Sequence, residues 1–233
     1  MRPRVLNTRP REQSAELSQL LVAADFEPIE APAIATVVAW DASELNRVRH
    51  DLHARAFEWV VLPSQNAARG LEHELPNAHV VCGGATARAL GLAADVELER
   101  FSARAALEAL RARITSGTRV LVPRAAEGRV ELIEGLRALG GEVSAPVAYG
   151  TIAVPEAAAC LRAGGIDVLT LCSPSAARSV AAAIPADTLV VCLGETTAAA
   201  AREMGLRLDA IAASTSMAAL VDCVRTVLRQ VRV

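Results

Sequence analysis

Hydroxyl and amide side chains recur where an apolar run of the chain gives way to a helical pattern. They are Ser64, Asn66, Thr86, Ser173, Ser175, Thr196 and Thr197. Such turns carry backbone N–H groups at the positive ends of helices, and these groups bind carboxylates or phosphates. The same residue types also cap helices, so each one alone is compatible with a purely structural role. Together they predict anion binding, helix capping or both.

All 24 basic residues of the 233-residue chain are arginines, and lysine is absent. This composition excludes a Schiff-base lysine, a lysine-held pyridoxal group, a Walker-type phosphate loop and a protein-kinase site. Arg9 and Arg124 follow apolar runs that resemble each other, and Arg129 lies near the start of the following helix. Because a guanidinium binds a carboxylate bidentately, we expect these three arginines to contact carboxylates. The alternative for each is a solvated surface arginine.

The net charge of -2 gives the chain no general attraction for nucleic acid or an anionic membrane. The five cysteines form no Cys-x-x-Cys pair, and His50 with His53 is the only suggestive histidine spacing. We therefore expect no metal site and no disulfide framework, which fits a reducing cytoplasm. Residues 1–10 do not resemble a secretory signal, and no uncharged stretch is long enough for a membrane helix.

The elements that must position these residues are repeated once along the chain. Three segments recur: residues 4–9 as 119–124, residues 59–69 as 168–178, and residues 79–87 as 189–197. Each leads from a short apolar run through a turn into a helical pattern, which is typical of parallel sheets covered by helices on both faces. The sequence predicts an α/β fold with duplicated domains. The proline-bearing stretches 26–32 and 142–146 favour edge strands or linkers.

The polar turns share one position in this predicted arrangement. Ligands of open parallel sheets bind at the carboxyl ends of the strands, where loops and helix N-termini gather. All the turns named above would lie there. Two such sets facing one cleft between the domains could hold an anionic ligand without help from the net charge.

The order and spacing of these pieces resemble the uroporphyrinogen-III synthase family over essentially the whole chain. The matching pieces of the first half are Thr8-Arg9-Pro10, Ser64 with Asn66, Gly84-Ala85-Thr86-Ala87, and Pro123-Arg124 with Gly128-Arg129. Those of the second half are Tyr149 with Thr151, Ser173 to Ala176, Gly194 to Ala198, and Ser214 to Leu220. The sequence departs from the family pattern at Asn7, Pro63 and Cys172, which changes details of the turns.

The resemblance implies two Rossmann-like or flavodoxin-like domains with parallel sheets, joined by a two-stranded β-ladder. One domain would comprise residues 1–33 and 150–233 and the other residues 34–149, with the active site in the cleft between them. The repeat alone would divide the chain near residue 117, so the discontinuous boundary rests on the resemblance.

The resemblance also implies a reaction. The family closes hydroxymethylbilane, which carries eight carboxylates, to uroporphyrinogen III with loss of water and inversion of ring D, using no cofactor or metal. Tyr149, the only tyrosine, matches the family's favoured proton donor. A phenol is neutral at pH 7 and can donate its proton, although a tyrosine packed at a domain junction is the alternative. The substrate would be bound by Gly84, Ala85 and Gly194, together with the arginines and the hydroxyl and amide residues named above.

The residues leave alternatives to an active synthase. A non-catalytic tetrapyrrole-binding or regulatory module with the same fold is one, and retention of Tyr149 and both glycine-threonine turns weighs against it. A two-domain sensor resembling periplasmic binding proteins is disfavoured by the missing export signal. We expect a cytoplasmic monomer that binds neither nucleic acid nor membrane, with a transient contact to the preceding enzyme of the pathway.

Overall fold

The computed structural model describes residues 2–128 and 130–231, so the expected carboxylate ligand Arg129 lies outside the described residues. The strands are β1 (Arg4–Asn7), β2 (Glu27–Glu30), β3 (Ile34–Val38), β4 (Trp59–Leu62), β5 (His79–Gly83), β6 (Val96–Leu98), β7 (Arg119–Leu121), β8 (Arg124–Ala125), β9 (Glu142–Ser144), β10 (Val147–Ala153), β11 (Val168–Leu171), β12 (Leu189–Cys192) and β13 (Ala210–Ile211). The α-helices are α1 (Arg11–Ala23), α2 (Ala42–His53), α3 (Gly84–Leu90), α4 (Ala103–Leu110), α5 (Glu131–Ala138), α6 (Glu156–Ala163), α7 (Pro174–Val180), α8 (Glu195–Glu203) and α9 (Met217–Val231). Short 3-10 helices span Gln65–Ala68, Leu75–Asn77 and Ala181–Ala183.

The chain separates into two compact units. The terminal unit contains the residues up to Ala35 and those from Thr151 onward, and the central unit is Thr36–Gly150. The chain changes unit within β3 and within β10, since both strands continue across a boundary. The boundaries expected from the resemblance, 33/34 and 149/150, differ from these by two residues and one residue.

The two units contain sheets of the same topology. The strand order is β13-β12-β11-β1-β2 in the terminal unit and β6-β5-β4-β7-β9 in the central unit, and every neighbouring pair is parallel. Each strand of one list corresponds to the strand at the same place in the other. The prediction of a duplicated α/β fold is therefore confirmed. The proline-bearing stretches form β2 and β9, which are edge strands, as expected.

The repeated strands are apolar because helices cover both of their faces. All four residues are buried in β4, β11 and β12. In the terminal unit α1 and α9 pack on one face, while α6, α7 and α8 pack on the other mainly through alanines. In the central unit α4 and α5 cover one face, opposite α2 and α3.

A third, smaller sheet has the order β3-β10-β8. The expected two-stranded ladder corresponds to β3 with β10, and β8 adds a short third strand. The pairing of β8 with β10 places Ala125 beside Tyr149. No helix in the described part of the chain combines the length and apolar character that a membrane-spanning helix requires.

Candidate active site

In both units the polar turns lie at the carboxyl ends of the parallel strands. We call this side of each sheet its carboxyl edge. In the central unit it carries the turns after β4, β5 and β7, and in the terminal unit the turns after β1, β11, β12 and β13. Because parallel strands all end on the same side, residues distant in sequence are collected there.

Tyr149 and Ser64 meet at the carboxyl edge of the central unit. The Tyr149 hydroxyl lies 3.1 Å from Ser64 Oγ, and either oxygen can be the donor. Both residues were predicted for the site, but their contact was not. Ser64 precedes the 3-10 helix Gln65–Ala68 without capping it through its side chain. Its hydroxyl therefore serves the tyrosine rather than the local backbone.

The backbone around Tyr149 is held by two strands. β10 pairs with β8, and the Tyr149 carbonyl accepts a hydrogen bond of 2.9 Å from the Ala126 N–H. The aromatic ring packs against the apolar cluster beneath α2 and α3. The hydroxyl thus projects from a fixed ring, as a group that transfers a proton requires.

Arg124, predicted as a carboxylate ligand, is largely engaged by the backbone carbonyls of other residues. Its Nε donates to the Ala145 carbonyl at 3.2 Å, and its Nη1 donates to the Ala125 and Ala126 carbonyls at 3.1 and 3.2 Å. Among the described residues Nη2 has no acceptor. A bidentate contact would require breaking one of these bonds, so the geometry favours a single-nitrogen contact together with a structural role for the loop after β8.

A groove of about 780 Å³ lies within the central unit beside these residues. Its apolar lining includes Phe101, Leu107, Val122 and Leu132. The polar and charged lining residues include Tyr149 and Ser102, three arginines and two glutamates, namely Arg104, Arg111, Arg124, Glu108 and Glu131. The apolar part of this lining suits a ring, and the arginines outnumber the glutamates by one, which leaves a small excess of positive charge for a carboxylate.

The turns after β4 and β5 supply the other predicted residues of the central unit. Asn66 is 7% exposed, and its Oδ1 has no hydrogen-bond partner among the described residues. Gly84 and Thr86 are buried, whereas Ala85 is exposed. A Cβ on Gly84 would lie 2.7 Å from a carboxylate oxygen of Glu97, so that side chain would have to move to admit any other residue.

Arg9 occupies the carboxyl edge of the terminal unit. Its Nη1 contacts the Met217 sulfur, a weak acceptor, and its Nη2 donates to Gln13 Oε1 at 3.3 Å. Its buried Nε has no partner among the residues that the structure describes. The guanidinium is therefore fixed in place but incompletely hydrogen-bonded, which suits it to binding an anion.

The turn that carries Arg9 is organised by Asn7, which in the sequence stands out only as a departure from the family pattern. Asn7 is fully buried, and its Nδ2 donates to the Ser14 carbonyl and to Ser18 Oγ. Its Oδ1 accepts from the Arg9 N–H at 3.2 Å. An amide directly after the buried apolar residues Val5 and Leu6 was the signal that could have identified it.

Ser173 is a helix cap, and the predicted threonines are not. Ser173 Oγ accepts a hydrogen bond of 3.2 Å from the Ala176 N–H at the start of α7, where Ser175 is half-buried. The caps of α3 and α8 are Gly83 and Gly194, which have no side chain to contribute. The capping alternative therefore holds for Ser173 and fails for the threonines of α3 and α8.

The structure changes which threonines of the two units correspond to each other. The sequence repeat aligns Thr86 with Thr196, but Thr196 is exposed. Thr86 and Thr197 are buried and are each the third residue of a helix, α3 and α8 respectively. The shift arises because two residues connect β12 to α8, whereas β5 runs directly into α3.

The cysteines near this edge are poor nucleophiles. Burial raises the pKa of the Cys172 thiol to about 11 and that of Cys192 to about 12. Arg9 opposes the rise at Cys172. Thiols with such pKa values remain protonated at neutral pH, in keeping with the packing role expected for Cys192.

Comparison with known proteins gives these sites a family context. A family model described as "Uroporphyrinogen-III synthase HemD" matches residues 15–222. The chain is 30% identical over 226 residues to the protein named "Uroporphyrinogen-III synthase, chloroplastic" from Oryza sativa subsp. japonica, and the match covers 88% of this chain and 74% of that protein.

Two further matches differ in what they cover. The protein named "Porphyrin biosynthesis protein HemD" from Ruminiclostridium josui is 27% identical over 226 residues, which are 88% of this chain but 44% of that protein, so the chain spans less than half of that relative. The crystal structure of uroporphyrinogen-III synthetase from Helicobacter pylori 26695 matches with a TM-score of 0.62 at 18% identity, covering 99% and 100% of the two chains. This last likeness shows the fold.

Proposed function

The chain belongs to the uroporphyrinogen-III synthase family, and from this premise we propose that it converts hydroxymethylbilane into uroporphyrinogen III in tetrapyrrole biosynthesis. It would act as a lyase that removes water, inverts ring D and closes the macrocycle. The observation that carries the catalytic part of the proposal is the fixed Tyr149 hydroxyl beside the groove of the central unit.

Tyr149 is the proposed proton donor. In the substrate a pyrrole nitrogen lone pair expels the hydroxyl group from the hydroxymethyl carbon and leaves a protonated azafulvene, which keeps its N–H. A proton from the Tyr149 phenol turns the departing hydroxide into water. Because this leaving group already departs readily, a neutral phenol is acidic enough to assist.

Positioning is the larger part of the proposed catalysis. The azafulvene carbon can be attacked from two positions of the last pyrrole ring, and attack at the substituted position gives the spirocyclic intermediate that leads to the inverted ring. Holding a flexible chain so that this attack is favoured is an entropic task. The apolar lining of the groove, with Phe101, Val122 and Leu132, is suited to holding a pyrrole ring.

The carboxylates of the substrate are proposed to meet donors at the carboxyl edges. The terminal nitrogens of Arg9 are bonded only to the Met217 sulfur, a weak acceptor, and to Gln13, and Arg124 has its Nη2 free of acceptors among the described residues. In the terminal unit, Gly194 and Thr196 lie at the start of α8, where backbone N–H groups favour anions. These donors would compensate for a net charge of -2, which by itself would repel a polyanion.

The remaining parts of the proposal concern partners. The reaction as written needs no metal or cofactor, because the substrate supplies its own leaving group and nucleophile. We propose a monomer that receives the unstable bilane by transient contact with the enzyme that makes it. All five cysteines are free thiols, which suits the cytoplasm.

The test is a product analysis. The protein is incubated with freshly generated hydroxymethylbilane, the products are oxidised, and the isomers are separated. We expect isomer III from the wild-type chain and a loss of turnover of about 10²- to 10⁴-fold in Tyr149→Phe. Isomer I alone, the spontaneous product, would overturn the synthase and favour the non-catalytic tetrapyrrole-binding module. Unchanged turnover in Tyr149→Phe would remove the proton donor only.

A further inference from the structure

Two serines at corresponding places in the repeat use their hydroxyls differently. Ser64 follows β4 and Ser173 follows β11, and each is the residue before a helix. Ser173 Oγ accepts a hydrogen bond from the Ala176 N–H, as a helix cap does. Ser64 Oγ makes no such bond and instead lies 3.1 Å from the Tyr149 hydroxyl. The Ser64 hydroxyl therefore has a different function from that of a helix cap.

The Ser64 hydroxyl is held where it can act on the phenol. Its residue follows a fully buried strand and Pro63, whose ring restricts the backbone. The Ser64 carbonyl accepts a hydrogen bond of 3.0 Å from the Ala67 N–H. Both partners of the Ser64–Tyr149 contact thus project from constrained backbone.

We infer that Ser64 is a positioning residue for Tyr149, which rests on the proposed function. A phenol has one proton, and a phenol that donates it to Ser64 cannot donate it to substrate. In the productive arrangement the Ser64 hydroxyl donates to the Tyr149 oxygen. The phenol proton then points away from Ser64 and toward the groove that Tyr149 lines.

The same contact serves the step that follows. When the C–O bond of the hydroxymethyl group breaks, the Tyr149 proton leaves with the hydroxide as water and a phenolate remains. The Ser64 O–H then donates to an anion, and hydrogen bonds to ionised acceptors are stronger than those between neutral groups. The phenolate regains a proton from the pyrrole α-carbon that loses one as the macrocycle closes, so the cycle balances.

The kinetic test uses Ser64→Ala, Ser64→Thr, Tyr149→Phe and the double variant. We expect Ser64→Ala to lower kcat by roughly 10- to 100-fold with little change in KM, because the hydroxyl acts through the phenol. Threonine restores a hydroxyl and should recover most of kcat. The double variant should be no slower than Tyr149→Phe, since Ser64 has nothing left to orient. A normal kcat in Ser64→Ala, an effect confined to KM, or losses that multiply in the double variant would each overturn the inference.

A spectroscopic readout separates this inference from the proposed function. Tyr149 is the only tyrosine, so protein labelled with ¹³Cζ-tyrosine gives one resonance, which senses the hydrogen bond at its hydroxyl. We expect Ser64→Ala to move this resonance and Ser64→Thr to restore it, without substrate. Ser179→Ala is the matched control, because it removes a serine hydroxyl bond of 2.7 Å to the Ala33 carbonyl in the terminal unit.

The two failures give different results. A protein that forms only isomer I has lost the proposed function and with it the positioning role. A protein that forms isomer III but whose tyrosine resonance is unchanged in Ser64→Ala keeps the proposed function, and the positioning role is refuted. A resonance that moves equally in Ser179→Ala reports a general structural change and also refutes it.

Discussion

Replacing Asn7 with alanine should strongly destabilise the terminal unit. The side chain is fully buried and makes two hydrogen bonds through Nδ2, of 2.9 Å to the Ser14 carbonyl and 3.0 Å to Ser18 Oγ. A third, of 3.2 Å, reaches its Oδ1 from the Arg9 N–H. At about 1 kcal/mol for each bond, the free energy of unfolding should fall by about 2 to 4 kcal/mol, the upper end reflecting partners left unsatisfied.

Thr170→Val is the reference variant with which the loss of stability in Asn7→Ala is compared. Thr170 is also fully buried in the terminal unit, but its hydroxyl makes one side-chain bond, of 2.7 Å to the Leu6 carbonyl, so its loss should cost about 1 kcal/mol. Urea unfolding is followed by circular dichroism, which detects the helices of both units. Tryptophan fluorescence would report only the central unit, because Trp40 and Trp59 both lie there. An Asn7→Ala protein no less stable than Thr170→Val would refute the additive hydrogen-bond reasoning.

Four further predictions follow from single side chains. Arg9→Gln should raise KM about tenfold while Arg11→Gln, a solvent-exposed control, should not, and equal values for the two variants would contradict carboxylate binding by Arg9. Ser173→Ala should lower stability by about 1 kcal/mol through loss of the α7 cap, measured by urea unfolding. Cys172, with a thiol pKa of about 11, is about one-thousandth thiolate at pH 8, so a disulfide reagent should react with it roughly 100-fold or more slowly in the folded protein than in urea, with Cys172→Ser to identify its signal. A hydrogen bond from the Ser43 side chain, and after it one from the Glu44 backbone, lower the pKa of Asp41, the cap of α2. The stabilisation of α2 by Asp41 is therefore present above the unfolded-state pKa and is lost as pH falls through the folded-state pKa. Asp41→Asn should remove this pH dependence of the free energy of unfolding, measured by urea unfolding at a series of acidic pH values.

The fold was predictable because its signals are local and were present twice. Buried strands such as β4 and β11 must be apolar on both faces, and each is followed by a polar turn that begins a helix. The proline-bearing stretches could be assigned to edges because proline lacks a backbone donor. The repeat did not indicate that the terminal unit is built from two separate parts of the chain. That division arises because the chain passes from one unit to the other within β3 and returns within β10.

The positions of the candidate site residues were also accessible from sequence, but their partners were not. All strands of a parallel sheet end on the same side, so residues that follow a strand must lie at the carboxyl edge. Ser64, Ser173 and Thr86 could therefore be placed on the correct edges. Whether a serine caps a helix or meets a tyrosine depends on which residues the fold brings beside it, as Tyr149 is brought beside Ser64 from 85 positions away. Pro174, at the first position of α7, is a local signal that Ser173 caps a helix, but nothing in the local sequence indicates that Ser64 meets Tyr149.

The sequence by itself therefore determined the layers, the duplication of the α/β domains and the set of residues at the carboxyl edges, because hydrophobic periodicity and turn chemistry act over a few neighbouring residues. Only the tertiary structure decided which side-chain donors and acceptors are already hydrogen-bonded within the protein and which remain without a partner. Tyr149, in β10, lies within hydrogen-bond distance of Ser64, which follows β4, and the carbonyls of Ala125, Ala126 and Ala145 engage most of the Arg124 guanidinium. Such choices follow from strand register and packing between residues far apart in sequence, where a shift of one residue turns a side chain to the opposite face of its sheet.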